Sequence, residues 1–419
     1  MSGEKLMAGF GRQRITPALG VELSGFGYYL QRRAQEVLDH LYVRALALSG
    51  GGQRVVLISC DLLGMDVSFC DALRQAIADE LGLDSAGVLI ACTHTHYAPA
   101  CQPLEGLGRI DNEYLAVLGK AIRRSAAMAV DDLQKASLSF VRRTVEPIGY
   151  NRRTGCFDPI DPVLNVALLS RAGRSICLAS YACHAVTRYI VPGVSADWPG
   201  ALCRTLEREG LRAIVFQGFC GDINPISLKD EGNSRDPAPM GELLGGRAIA
   251  ALRDVPPAVL APLRAAQMRI RLPLDVLDAK RIDQHCRREK STCPNTAKFM
   301  GWWRRRAMSR RHAFIESPWL TNVPVQAIRV GPLHIVGLPG EIFCRLGAAF
   351  QAQANAFTFG FCGGNIGYVP TADAYDDPAD YAAWEAPRFY GAFPFRRDAQ
   401  QALVDAGLTV LKQVQAYRK

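Results

Sequence analysis

The chain has 419 residues, 49% of them apolar, and a formal net charge of +9 at pH 7. This length and apolar content are enough for one large buried core or two ordinary ones. The sequence contains no internal repeat, low-complexity tract or nucleic-acid-binding motif, and no apolar stretch approaches the roughly 20 residues that a membrane span needs.

The thirteen cysteines indicate a reducing environment. They are scattered singly, without a C-x-x-C pair, and several lie inside apolar runs, among them Cys60, Cys177 and Cys183. Such cysteines behave as small apolar residues, and their odd number argues against a complete disulfide framework. The first seven residues contain no apolar run of the length that a signal peptide requires. We therefore expect a soluble cytoplasmic protein.

Short apolar runs alternate with helical patterns along the chain. Strands are predicted at Tyr42–Ser49, Gln53–Cys60, Gly87–Cys92, Leu138–Val141, Leu164–Leu169, Ser175–Ala182, Leu211–Gln217, Met268–Pro273, Val323–Val330 and Leu333–Leu338. Helices are predicted at Ser68–Leu81, Glu113–Val130, Trp198–Glu209, Glu341–Asn355 and Asp398–Tyr417. This alternation indicates a layered α/β domain, and the hairpin-like neighbours near the N-terminus predict a mixed sheet with flanking helices.

The positive charge is a local feature of residues 280–312. This segment holds eleven Lys or Arg against Asp283 and Glu289, so it accounts for the whole net charge of the chain. Its stretch "FMGWWRRRAMSRRH" fits a helix with Phe299, Met300, Trp302 and Trp303 packed inward. A solvated arginine face on a covering helix explains the pattern. A site for anionic substrate groups, a partner surface and a peripheral membrane contact are the alternatives.

Residues that can carry chemistry gather where predicted strands end. His94 and His96 follow one strand, His184 follows another, and Glu341 stands where a third turns into a helix. Residues i and i+2 of an extended segment face the same side, so the first two histidines can point together. Imidazoles and a carboxylate are ordinary zinc ligands, so His94, His184 and Glu341 form a candidate catalytic metal site. The alternative for each histidine is a hydrogen-bonded residue of the core or of a cap.

Several motifs in fixed order resemble the neutral, non-lysosomal ceramidases, which are zinc-dependent amidases. The motifs are "GFGRQRITPALG" at 9–20, "SCDLLGM" at 59–65, "THTH" at 93–96, "YNRR" at 150–153, "HAVTRYIVPGVSADWPG" at 184–200, "GDINP" at 221–225, "LPGE" at 338–341 and "GYVPTADAY" at 367–375. They run from residue 8 to about residue 390, and "THTH" together with "LPGE" is a specific combination. The resemblance implies one ceramidase-like metallohydrolase domain over 1–419, with a basic, helical insertion at 274–320 that covers the site. Because the chain stops at residue 419, we expect a bacterial-type member without the family's C-terminal β-sandwich domain.

The resemblance also implies a ligand set and its neighbours. It makes His94, His184, Glu341 and Tyr368 the ligands of Zn²⁺. The residues implied to act on substrate are His96, Arg152 and Tyr381, of which Tyr381 requires a one-residue shift of the motif. The aspartates expected to orient the ligands without binding the metal themselves are Asp61, Asp197 and Asp222.

One position departs from the family pattern. Where the family has a serine after the Gly-Asp pair, this chain has Asn224. An asparagine cannot act as a hydroxyl nucleophile, whereas a metal ion lowers the pKa of water and so generates hydroxide near neutral pH. Asn224 would then hold the substrate or an oxyanion through its amide. The nearest hydroxyl downstream, Ser227, lies three residues away and is a poor substitute.

These observations favour a zinc-dependent hydrolase that cleaves an amide bond of a small or amphipathic acyl-amide substrate with metal-activated water. An acyltransferase that uses the same metal site is one alternative. A non-catalytic, metal-stabilised protein whose basic segment binds a partner is another. The lining of the cavity beside the metal separates substrate classes, because a long apolar groove implies an acyl chain and a polar pocket implies a charged metabolite.

Overall fold

The fold consists of four layers in which two β-sheets pack face to face and helices cover both outer faces. The computed structural model describes residues 6–229, 235–258, 263–288 and 294–416. The strands are β1 (Met7–Arg14), β2 (Glu36–Val37), β3 (Tyr42–Gly50), β4 (Gln53–Cys60), β5 (Val88–Cys92), β6 (Gln134–Thr144), β7 (Gly149–Asn151), β8 (Val163–Arg171), β9 (Ile176–Tyr181), β10 (Gly193–Val194), β11 (Arg212–Gln217), β12 (Ile223–Pro225), β13 (Leu263–Pro273), β14 (Trp319–Val330), β15 (Leu333–Gly337), β16 (Glu341–Ile342), β17 (Phe357–Phe359) and β18 (Tyr368–Val369). The helices are α1 (Val67–Leu81), α2 (Asn112–Asp131), α3 (Asp197–Arg208), α4 (Ala238–Leu252), α5 (Ala279–Arg288), α6 (Pro294–Glu316), α7 (Ala348–Ala354) and α8 (Ala399–Gln415).

The larger sheet is mixed, as the sequence predicts. Its eight strands have the order β11-β9-β8-β6-β1-β3-β4-β5, and the two pairs at its edges, β11 with β9 and β4 with β5, are parallel. The second sheet has the order β13-β14-β15-β17. A layered mixed sheet with flanking helices is therefore confirmed as the fold class.

Alternation along β4 shows why these layers form. Val56 and Ile58 face the helices α1 to α4, whereas Val55 and Leu57 face the second sheet. Successive side chains of a strand point to opposite faces, so a strand that is buried on both faces reads as a continuous apolar run. The second sheet buries its other face under α6 and α8.

Most of the predicted elements lie where the sequence places them, but the segment after β15 differs. Residues Glu341–Asn355, predicted as one helix, begin with the short strand β16, which pairs in parallel with β18. A 3₁₀ turn and the short helix α7 follow. The helix prediction was wrong at its start because the glycine before Glu341, Gly340, has φ of +89° and turns the chain back into extended pairing. Tyr417, the predicted end of α8, lies outside the described residues.

The connection between β13 and β14 contains the helices α5 and α6, which carry the basic segment. Phe299 and Trp303 of α6 are buried, whereas the predicted inward residue Trp302 is only half-buried. Phe299 stacks on Tyr28 with ring centroids 4.4 Å apart, and Tyr28 stacks on Phe389 at 5.2 Å. The apolar side of α6 therefore packs over the loops that line the candidate site described below.

The charged side of this connection is partly neutralised. Arg304 pairs with Asp283 at 2.7 Å, and Arg281 pairs with Asp275 at 2.6 Å. Residues 289–293 of the basic segment lie outside the described residues. A membrane contact of this segment stays a prediction, as does the single domain over 1–419. Among the described helices, none combines the length and apolar character that crossing a bilayer requires.

The close approach of β1 and α2 generates a test of this packing. A Cβ atom at Gly11 would lie 2.0 Å from the carbonyl oxygen of Ser125, whereas a Cβ atom at Gly246 of α4 would meet open space. Gly11→Ala should therefore destabilise the protein by roughly 1–3 kcal/mol through overpacking. Gly246→Ala, the matched control, should stabilise it by about 0.5–1 kcal/mol because it restricts the unfolded chain. Denaturant midpoints of the two variants measure both effects, and equal midpoints would contradict the packing described here.

Candidate metal centre

Three histidine rings converge where strands of the larger sheet end. The ring nitrogens of His94, His96 and His184 that face one another lie within 4.8 Å. The Nε2 atoms of His94 and His96 are 3.2 Å apart, and the rings of His94 and His184 meet edge to face with centroids 4.8 Å apart. The structure thus brings His94, His96 and His184 together at strand ends, and the division of their roles into ligands and neighbour stays a prediction.

The opposite nitrogen of each ring binds a backbone carbonyl group. The three bonds are His94 Nδ1 to Leu63 O at 2.8 Å, His96 Nδ1 to Gly25 O at 2.6 Å and His184 Nδ1 to Cys220 O at 2.7 Å. A carbonyl oxygen only accepts, so each Nδ1 carries the proton and each Nε2 presents a lone pair to the centre. This is the tautomer that a metal-binding histidine adopts.

A carboxylate and a phenol complete the arrangement. Glu341 Oε2 lies 3.3 Å from Nε2 of His184 and 3.4 Å from Nε2 of His94. The hydroxyl of Tyr368 lies 3.4 Å from Nε2 of His184. Glu341 and Tyr368 are directly paired across β16 and β18, so their side chains reach the centre from one two-stranded ribbon. Imidazole and carboxylate are ordinary zinc ligands, so His94, His184 and Glu341 fit the predicted ion, whereas a phenol is outside the usual set and Tyr368 as a ligand stays a prediction.

The two histidines of the "THTH" motif converge for a different reason from the one expected. The prediction relied on an extended segment, but His94 has φ of +62°, in the left-handed region. Its ring also stacks on Phe361, with centroids 4.1 Å apart. A left-handed residue breaks the pleat, so the rings of His94 and His96 meet at 89° instead of standing side by side. A non-glycine residue in this region is strained, and such strain is concentrated at functional sites.

Electrostatics favour neutral rings around an ionised carboxylate. Burial, together with the adjacent His94 and His184, lowers the pKa of His96 well below its ordinary value. Burial also lowers the pKa of His184 to about 4. Burial opposes ionisation of Glu341, yet positive charge at the histidines holds its pKa well below the usual range. A bound cation would supply that positive charge without protonating the rings.

Arg152 and Tyr381 lie on the side of the centre next to Tyr368. The guanidinium carbon of Arg152 is 5.0 Å from the ring centroid of Tyr368 and 5.4 Å from that of Tyr381. Although burial opposes its charge, the two tyrosines raise the pKa of Arg152. Its Nη2 is buried and has no hydrogen-bond partner. Tyr381 is 41% exposed, so it borders solvent. The structure thus brings both residues to the centre, and their roles in catalysis stay predictions.

Asp61 and Asp222 contact the backbone around the ligands. Asp61 accepts a hydrogen bond from Arg44 at 2.7 Å and lies two residues before Leu63, whose carbonyl group binds His94. Asp222 accepts from the backbone N–H of Cys344 at 2.8 Å and so joins the segment after β11 to the segment that bears Glu341. The hydrogen bonds described for these aspartates go to residues other than the predicted ligands, and their supporting role stays a prediction.

Asp197 holds the segment after His184. It accepts from the hydroxyl and the backbone N–H of Thr187 at 2.6 and 3.1 Å, and from the backbone N–H of Trp198 at 2.7 Å. Burial raises its pKa to about 6. The histidine nitrogens bind carbonyl groups, so any effect of Asp197 on His184 passes through the chain between them.

Asn224 lies in β12 and is half-buried. It follows Ile223, whose carbonyl oxygen is 3.1 Å from Nδ1 of His184. A cavity of about 30 Å³, large enough for a water molecule or an ion, contacts His94, His96 and Glu341, and Asn224 is not among its lining residues. The contact of Asn224 with substrate therefore stays a prediction.

Sequence reasoning missed the carbonyl groups that orient the rings and one further tyrosine. The hydroxyl of Tyr390 lies 3.5 Å from Oε1 of Glu341. Gly25 approaches His96 so closely that a Cβ atom would lie 2.5 Å from Nδ1, and its φ is +116°. The glycine in "SGFG" was the one available signal, because a backbone carbonyl group leaves no mark in a sequence.

Comparisons with known proteins give the fold. No protein-family profile matches the chain, and no curated protein matches it in sequence. Among solved structures, a ceramidase complexed with C2 superposes with a TM-score of 0.74 at 17% identity, covering 98% of this chain and 75% of that one. Neutral ceramidase from Pseudomonas aeruginosa superposes with a TM-score of 0.72 at 18% identity, covering 99% and 76%. The resemblance expected from the motifs is thereby confirmed for the fold.

The arrangement predicts how metal content responds to substitution. The purified protein should carry about one zinc ion per chain, and His184→Ala or Glu341→Ala should remove most of it because too few donors remain. His96→Ala should retain the ion if His96 is a neighbour of the metal and not a ligand. His312→Ala, at an exposed position on α6, is the matched control. Metal analysis of the four variants decides the assignment, and loss of zinc from His96→Ala would place His96 among the ligands.

Proposed function

We propose that this chain, which has the neutral ceramidase fold, is a zinc-dependent amidohydrolase that cleaves a linear amide. The supporting observation is the convergence of the unprotonated Nε2 atoms on Glu341 beside a cavity of about 30 Å³. When bound there, zinc acts as a Lewis acid and lowers the pKa of water towards 7. Both solved neighbours are ceramidases, which favours an amide as the bond that is cleaved.

His96 is the proposed acid–base group. Its Nδ1–H is committed to Gly25 O, so only Nε2 faces the cavity and can exchange a proton there. Because the pKa of His96 is lowered, the ring is neutral near pH 7 and can take a proton from the attacking water. The same nitrogen then returns that proton to the departing amine nitrogen, which completes hydrolysis.

Arg152 and Tyr381 are the proposed stabilisers of the oxyanion. Arg152 stays cationic, and its Nη2 donor lacks a partner. A preorganised donor of this kind costs no reorganisation when charge develops on the carbonyl oxygen. Tyr381 borders both the cavity at the centre and solvent, so its hydroxyl can donate to an oxyanion or to the leaving group.

The role of His96 gives a kinetic prediction. His96→Ala should lower kcat by roughly 10²–10⁴-fold while the protein stays folded. In the wild type, kcat/KM should hold its plateau at neutral pH and fall on the acid side with a midpoint below about 6.5, the ordinary value for histidine. This sign follows because the neutral ring is the active base and burial lowers its pKa. An unchanged kcat in His96→Ala would remove this residue from the mechanism.

The departure at Asn224 gives a second prediction. The protein should show little activity on ceramide, hydrolyse another acyl bond and form no acyl-enzyme, since Asn224 cannot carry an acyl group. Asn224→Ala should cost roughly 10²–10³-fold at most, and Asn224→Ser should not convert the specificity. Burial raises the pKa of the neighbouring Cys220 well above its usual value, which makes it a poor nucleophile.

Mass spectrometry after incubation with substrate tests this prediction. A covalent adduct on Ser227 or Cys220 would contradict it and move the nucleophile from water to the protein. That result would also favour acyl transfer, because an acyl-enzyme can react with an acceptor other than water.

A further inference from the structure

Two larger cavities border the candidate metal centre on different sides. One has a volume of about 350 Å³ and shares the side chains of Tyr368 and Tyr390 with the cavity at the centre. The other has a volume of about 490 Å³ and shares Tyr381 with it. The centre thus lies between the two cavities, separated from the first by Tyr368 and Tyr390 and from the second by Tyr381, and a substrate with an arm in each would have to pass these side chains.

The first cavity suits an apolar chain. Its walls include the apolar side chains of Leu274, Phe314, Leu320, Phe393 and Phe395. Two charged residues also border it, and both are engaged. Arg310 donates to the carbonyl group of Gly391 at 3.1 Å and lies over the ring of Phe314. Asp66 caps the first turn of α1. A methylene chain is the occupant that such walls favour, because its burial removes apolar surface from water.

The second cavity suits a small anionic group. Arg152 and Arg153 line it, together with Asp380 and with Asp377, whose carboxylate accepts from the backbone N–H of Ala379. Arg153 is already paired, with Asp380 at 2.6 Å and with Asp373 at 3.0 Å. Arg152 has no carboxylate within salt-bridge distance among the described residues, and its buried Nη2 donor has no partner. Arg152 is partly buried, and a guanidinium with an unused donor favours a carboxylate or a similar anion as its partner.

We propose that the substrate is an amphipathic amide that joins an apolar chain to a small anionic group, as in an N-acyl amino acid. The chain would lie in the cavity behind Tyr368 and Tyr390, and the anion would bind Nη2 of Arg152. With such a substrate, Tyr381 alone would donate to the oxyanion. This inference rests on the proposed amidohydrolase function and specifies its substrate class. In the reaction, water oxygen bonds to the carbonyl carbon, the C–N bond breaks, and the nitrogen gains a proton, so a carboxylic acid and an amine leave.

A substrate series tests both arms with the metal-loaded protein. The series contains N-acetyl-, N-octanoyl- and N-dodecanoylglycine, and the corresponding uncharged glycinamides. Removing a methylene from water is worth up to about fourfold, so kcat/KM should rise at least 100-fold from acetyl to dodecanoyl. A charge-assisted hydrogen bond is worth roughly 10- to 100-fold, so each glycine compound should exceed its glycinamide by that factor.

A matched pair of variants separates the arms. Ala392 lines the apolar cavity and Ala379 lines the polar one. Ala392→Phe should abolish the dependence on chain length and keep the preference for carboxylate. Ala379→Phe should abolish the preference for carboxylate and keep the dependence on chain length. Circular dichroism checks folding, and the smaller substitutions Ala392→Leu and Ala379→Leu, with weaker effects in the same directions, replace any variant that does not fold.

The outcomes distinguish this inference from the proposed function. Hydrolysis of the N-acyl bond in all six compounds at rates independent of chain length and charge would overturn the proposed substrate class. The proposed amidohydrolase function would stand. If no amide is cleaved, binding of N-dodecylglycine, which has both arms but no amide, is measured by calorimetry. Binding that Ala392→Phe weakens at least tenfold would support the two-arm site without hydrolysis. Absence of binding would overturn the inference together with the function.

Discussion

The centre depends on three hydrogen bonds from histidine Nδ1 atoms to backbone carbonyl groups. Each bond fixes one tautomer and turns one Nε2 lone pair inward, so lone pairs of His94 and His96 face each other 3.2 Å apart. That arrangement is unfavourable unless a nearby cation, or a proton shared by the two nitrogens, offsets the repulsion of the lone pairs. The accepting carbonyl groups come from loops far away along the chain, 31 to 71 positions from the histidine that each one binds. The loops must therefore be in place before the rings can converge.

The charges of the histidines and of Glu341 also depend on the burial of these inward-facing nitrogens. Burial lowers the pKa of His96 and His184, whereas Glu341 is held ionised by positive charge at the rings. These tendencies oppose each other in the protein alone, since protonating the rings would stabilise the carboxylate at the cost of desolvating a cation. A bound metal ion would resolve the conflict, because it would supply positive charge and require neutral rings.

The sequence was most informative where a function requires a particular side chain. The histidines, Glu341 and the layered α/β class could be predicted, because ligands at strand ends and apolar alternation both leave a pattern in the residues. The left-handed conformation of His94 could not, since no glycine or asparagine marks it. The strand at Glu341 was missed because "GEIF" has no strong β pattern, and its pairing partner Tyr368 lies far along the chain. The backbone carbonyl groups that orient the histidine rings also leave no pattern in the sequence.

The proposed ligands come from both sheets, and this links the proposed chemistry to the selection of substrate. His94 and His184 follow strands of the larger sheet, whereas Glu341 follows β15 of the second sheet. A cation held by all three would stabilise the packing of one sheet on the other, because a ligand that binds only the folded state stabilises it by mass action. Tyr368 belongs to this centre and also to the wall of the apolar cavity. A substitution there would change metal binding and substrate selection together, so variation in specificity is expected farther from the metal, at positions such as Ala392.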